Sequence, residues 1–164
     1  MKRFLLVAGL VTWAGHADAL SCMFGGGGVA FAQAAQNGAD FSPAIGTLQW
    51  SGLNDLDTYM GRLVMAHEGQ EHDVVARFTG DIMGKGGERM PIDQNLRVQT
   101  WCANGDCGYA HSEGEMLTFL HNTPGGVVMI ATPCQSYPTG ADGVTVAEVQ
   151  QCLDGGPCSA EFKY

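Results

Sequence analysis

Between Ala44 and Thr132, alternation of apolar residues rather than a 3.6-residue period dominates, and glycine-rich or polar breaks lie between the runs. Two is the period of a strand with one buried face, whereas a helix repeats every 3.6 residues, so this stretch is committed to β structure. In Asn95-Leu96-Arg97-Val98-Gln99-Thr100-Trp101-Cys102, Leu96 and Val98 share a face with Cys102 while Arg97 and Gln99 point the other way. The run from Val74 to Asp81 sets Val74, Ala76 and Phe78 against Val75, Arg77, Thr79 and Asp81. Further strands are expected at Ala44 to Trp50, Met116 to Leu120 and Val127 to Thr132, with a short one around Arg62 to Ala66. Gly84-Lys85-Gly86-Gly87, Ala103-Asn104-Gly105-Asp106 and Thr123-Pro124-Gly125-Gly126 supply turns between them. Five or six short strands joined in this way make a small barrel or sandwich. Alternation also sends Trp101 to the face opposite Leu96 and Val98. An outward tryptophan is a frequent interface anchor, which makes Trp101 the candidate partner-binding residue.

Helices are expected on either side of the strands. Val29 to Gln36 is alanine-rich and stops at Asn37-Gly38, a C-terminal signal. Towards the other end, Thr145-Val146-Ala147-Glu148 reads as a capping box, followed by Val146, Val149 and Leu153 on one face and Gly155-Gly156-Pro157 as the stop. Cys152 lies beside that apolar face, so a bridge from it would pin the helix to the β region. Gly25 to Gly28 reads as a turn-forming connector, because a phosphate loop needs a following Lys-Ser/Thr and a preceding strand.

The first residues read as an export signal. Lys2-Arg3, an apolar stretch from Phe4 to Trp13 too short to span a bilayer, and Ala17-Asp18-Ala19 make a secretory signal with a small-x-small cleavage site. Residues 1–19 are expected to be the signal peptide and residues 20–164 one domain. Cleavage after Ser21 and lipidation of Cys22 are the alternatives. No transmembrane helix is expected, since no later run reaches about 18 apolar residues. The formal net charge is −9, and removal of Lys2, Arg3 and Asp18 makes the mature chain one unit more acidic. Such a chain lacks the basic footprint that nucleic acid or an anionic lipid surface requires.

Six cysteines in an exported chain form a disulfide framework: Cys22, Cys102, Cys107, Cys134, Cys152 and Cys158. They can pair in 15 ways, and spacing alone leaves these open. Cys102 with Cys107 and Cys152 with Cys158 would each close a small loop, worth about 2 kcal/mol. Cys22 has no near neighbour, so its partner is expected to be Cys107 or Cys134 across a long loop.

Catalytic patterns are incomplete. In His67-Glu68-Gly69-Gln70-Glu71-His72 the second histidine falls five residues after the first, and Glu71 occupies the place that the HExxH zinc motif gives to histidine. His111 and His121, near strand ends, read as surface or hydrogen-bonded histidines. Four residues separate Cys102 from Cys107, against two in a redox Cys-x-x-Cys, and no Gly-x-Ser-x-Gly elbow marks a nucleophile. No catalytic residue, metal ligand or cofactor is assigned.

Cys107-Gly108-Tyr109-Ala110-His111, the strand Met116 to Leu120, a Gly-Gly turn and Val128-Met129-Ile130-Ala131-Thr132-Pro133-Cys134 resemble the central part of the netrin-like module, which includes the tissue inhibitors of metalloproteinases. The resemblance implies a mainly β fold: a small closed OB-type barrel with flanking N-terminal and C-terminal helices, its N-terminal cysteine bridged to a later strand. Those inhibitors begin with Cys-x-Cys and chelate the protease zinc through the first cysteine's free amine. Here Cys22 stands alone behind Ser21, and a cut after Ala19 removes that mechanism. A second similarity, carried by Ser21-Cys22-Met23, Trp101-Cys102, the Cys107-Gly108 turn and Gly155-Gly156-Pro157-Cys158, is to exported proteins of alphaproteobacteria and implies no activity. The function expected is that of an exported, noncatalytic, monomeric binding module, periplasmic or secreted, that engages a protein or envelope component. An envelope hydrolase with dispersed catalytic residues is the alternative, and metalloproteinase inhibition a minor one.

Overall fold

The computed structural model describes residues 25–36, 40–50, 71–103, 106–108, 110, 114–133 and 138–158. In chain order these form α1 (Gly27–Gln36), β1 (Phe41–Trp50), β2 (Glu71–Met83), β3 (Arg89–Ala103), β4 (Asp106–Cys107), β5 (Met116–Thr123), β6 (Gly126–Ala131), β7 (Thr139–Gly140) and α2 (Gly143–Leu153). The short strand expected around Arg62 to Ala66 and the signal segment lie outside the described residues.

β1 is hydrogen-bonded on both sides, to β2 and to β5, and this double pairing closes the sheet. The path β1-β2-β3-β6-β5 returns to β1, antiparallel throughout except where β6 runs parallel to β3, from Arg97 opposite Val128 to Thr100 opposite Ala131. This is a five-stranded mixed barrel of the OB type rather than a sandwich. The two-residue strands β4 and β7 add to β3 and β5. Every expected strand that falls on described residues is present, each longer by a few residues except β6, which ends at Ala131.

Inside the barrel, alternate residues meet. Leu48 stands opposite Phe78, Ala76 opposite Leu96, and Met129 opposite both Val98 and Leu120, all 3% exposed or less. A second core lies outside the wall, where α1 and α2 cover β1 and β5: Ala30, Ala34 and Val149 pack on Leu117, Phe119 and Met83. β5 is therefore buried on both faces from Met116 to His121. Each large side chain taken out of water there contributes roughly 1.5–3 kcal/mol.

Three expectations are corrected. The cap of α2 is Asp142, whose carboxylate accepts from the backbone N–H groups of Val144 and Thr145 at 3.0 and 2.9 Å. Thr145 is thus a third-position residue whose hydroxyl donates back to Asp142, and hydrogen bonding with Thr145 holds the Asp142 carboxyl below its ordinary range. Glu148, freed from a capping box, turns to α1, where it accepts from the N–H of Gly28 at 3.4 Å. Gly27 and Gly28 are buried in the first turn of α1, so Gly25 to Gly28 is no connector. A Cβ on Gly27 would collide with the Thr145 carbonyl, and one on Gly26 with the Glu148 carboxylate; glycine is what lets the two helices touch. Finally, Cys152 bonds to Cys158 within its own terminal turn instead of pinning α2 to the barrel. Cys158 Sγ lies 3.7 Å from the Gly28 carbonyl oxygen, so this staple rests against α1.

Candidate binding face on the β2–β3 ribbon

The β2–β3 hairpin turns through Lys85–Gly87, where Gly86 and Gly87 adopt positive φ, and the register that follows decides what shares a face. Asp73 is opposite Gln99, Val75 opposite Arg97, Arg77 opposite Asn95 and Thr79 opposite Asp93. These residues alternate with the barrel interior and so face outward. Val75 is 49% exposed. At the top of the ribbon Trp101 is 39% exposed, while Val98, Thr100 and Cys102 beneath it are buried. The outward direction inferred for Trp101 is therefore the one observed.

Two ion pairs strap this face diagonally, each joining residues two positions out of register. Arg77 makes a bidentate contact with Asp93 at 2.6 and 2.7 Å, and Thr79 adds a hydroxyl at 3.3 Å. The hydrogen bond from Arg77 holds the Asp93 carboxyl below its ordinary range, and the same bond raises the guanidinium's pKa. Arg97 reaches Asp73 at 3.1 Å. Exposed pairs of this kind add at most about 1 kcal/mol each to stability. Their larger effect is to fix the side chains and to offset two aspartates with two arginines.

Trp101 sits on a restrained strand end. Cys102 bonds to Cys107 across the β3–β4 ladder, and the N–H of Gly108 donates to the Trp101 carbonyl at 3.0 Å. Gly108 is buried against the backbone of Ala131 and Thr132, with no room for a Cβ, which explains the glycine after Cys107. Pairing of Cys107 with Cys102 removes Cys107 as a partner for Cys22. Cys22 and Cys134 lie outside the described residues. The four described cysteines are all in disulfides, which indicates an oxidising, extracytoplasmic compartment.

Other candidates do not converge. His67 and His111 lie outside the described residues, and His72 stands on β2 opposite Thr100. Among the described residues no group of three His, Cys, Asp or Glu could hold a metal ion, and no helix is long and apolar enough to cross a membrane. His121 departs from expectation: it is 5% exposed, and its Nε2 is buried without a hydrogen-bond partner among the described residues. Sequence reasoning missed Val75 and the two ion pairs. A register centred on Gly86 would have revealed both, because it places each arginine two residues from an aspartate across the ladder.

Comparisons with models of protein families, with curated proteins and with solved structures found no match to this chain.

Proposed function

We propose that this chain is an exported, noncatalytic binding module of the netrin-like type, periplasmic or secreted, that acts as a monomer and engages a protein or envelope component through the outer face of β2 and β3. The observation that carries this reading is Trp101: a large, half-exposed aromatic on a strand end restrained by a disulfide, on the same face as two exposed arginine–aspartate pairs. Such an anchor gives contact area at little ordering cost, because its backbone is already fixed. Val75 supplies a second apolar foothold on the same face, four register positions further along, or roughly 13 Å. Net acidity opposes nucleic acid as the partner.

The test compares retention of envelope components on immobilised wild type, Trp101→Ala and Val144→Ala, the last altering an exposed residue on α2. A component retained by wild type and by Val144→Ala should bind Trp101→Ala at least about 30-fold more weakly, the equivalent of about 2 kcal/mol for an interface tryptophan. Equal retention by all three removes Trp101 from the proposal. Catalytic turnover of an envelope polymer by the purified chain would replace the proposal with the hydrolase reading.

A further inference from the structure

We infer that His121 makes the seat of α1 on the barrel acid-labile, so that protonation of this ring undocks the N-terminal helix. His121 stands on the outer side of β5, in register with Phe41 of β1 on one side and Val128 of β6 on the other. Its ring lies 6.0 Å from that of Phe41, centroid to centroid. Phe41 in turn packs edge-on against Phe31 of α1 at 5.3 Å and Phe119 at 5.6 Å, and Phe31 meets Phe119 at 6.2 Å. The histidine is thus the end member of the aromatic chain that holds α1 to the wall.

A neutral imidazole fits this place and an imidazolium does not. The charged ring must donate from both nitrogens, and Nε2 has nothing to donate to among the described residues. α1 carries no ionisable residue, and neither does the Asn37-Gly38-Ala39 segment after it. From β6, Val127 and Val128 offer no charge, and on β3 beyond them Arg97, in register with Val128, is a cation. Two described carboxylates border this seat: that of Asp40, beside Phe41, accepts from the Asn122 side chain at 3.1 Å, and that of Glu148 accepts from the N–H of Gly28 at the start of α1. A charged, unpaired group in such a site either leaves or breaks the packing. Rotation of the ring towards water and Asp40 takes it from Phe41 and loosens the contact between Phe41 and Phe31.

Burial lowers the pKa of His121 from its ordinary 6.5. The undocked form therefore takes up the proton at higher pH than the docked one. Docking is at full strength above about pH 6.5 and weakens as pH falls below that value, levelling off once the docked ring is itself protonated.

Amide hydrogen exchange, corrected for intrinsic rates, tests this at about pH 7.5 and about pH 5. Protection of Gly27–Gln36 should fall by about ten-fold or more in acid, while β3 keeps its protection. In His121→Phe, which keeps the ring packing without the charge, α1 should remain protected at both pH values. In Glu148→Gln, which removes an ionisable side chain that accepts from the N–H of Gly28 in α1, the acid loss should persist. Unchanged protection of α1 in wild type, or the same loss in His121→Phe, overturns the inference. If His121→Phe does not fold, imidazole nitrogen resonances of wild type decide: His121 must titrate in step with the Phe31 and Phe41 ring signals, and titration without a change in those signals overturns it.

Discussion

Replacing Gly27 with alanine separates this packing account from ordinary helix propensity. Gly27 and Gly143 both sit at the first position of a helix, and a propensity scale predicts that alanine improves either by up to about 1 kcal/mol. Their surroundings differ. At Gly143 nothing among the described residues lies within 4 Å of an added Cβ. At Gly27 the Cβ would enter the Thr145 carbonyl, a backbone atom of α2, and come within 3.0 Å of Val149 Cγ2, whose side chain is fully buried. The clash is relieved when α1 and α2 move apart, which loosens Ala30 and Ala34 from the same core. Overpacking of this kind costs about 2–3 kcal/mol, and alanine's helix preference offsets about 1, leaving a net loss of about 1–2. For a domain of this size each kcal/mol moves Tm by about 2–4 °C, so Gly27→Ala should melt about 2–8 °C below wild type by circular dichroism. Gly143→Ala should melt at or slightly above it. If the two variants melt together, the close contact between the helices is not there.

Gly108→Ala should destabilise by about 1–3 kcal/mol in urea unfolding, because the added methyl meets the backbone of Ala131 and Thr132. Asp142→Ala should cost about 1 kcal/mol as a lost cap, and a smaller effect than that of Thr145→Ala would restore the capping box centred on Thr145. Since the Asp142 carboxyl is held below its ordinary value of 3.8, chiefly by Thr145, its contribution is present above that pH and is lost as pH falls further; Asp142→Asn should flatten that part of an acid-unfolding curve. Replacing Cys152 and Cys158 together by serine should cost about 2 kcal/mol, the chain-entropy value for so short a loop, with mass spectrometry showing the Cys102–Cys107 bond intact.

The strands were legible because a barrel wall with a packed interior imposes period two directly on the sequence, as in Leu96, Val98 and Cys102. β5 shows where the rule thins: Met116 to His121 is buried on both sides because helices cover its outer face, and a lone sequence cannot report which strand they choose. Gly25 to Gly28 was misread for a related reason. A glycine chosen for close approach to α2, more than 110 residues away, looks the same as one chosen for a turn. At α2 two good caps compete three residues apart, and Asp142 takes the site while Thr145 bonds back to it, so local preference named the helix without fixing its start. The direction of Trp101 followed from alternation, whereas its exposure depended on what the rest of the chain leaves uncovered. The burial of His121 had no local signal, since it arises from Phe41 and Val128 on two other strands.

Photocrosslinking in the producing cell tests the proposed face most directly. A photoreactive side chain placed at Val75, in the middle of the outer β2–β3 surface, is compared with one at Val144 on α2, both exposed in the free protein. The account predicts a discrete adduct from Val75 that disappears when Trp101→Ala is added, and none from Val144. An adduct from Val144 alone, or one from Val75 that survives Trp101→Ala unchanged, would contradict it.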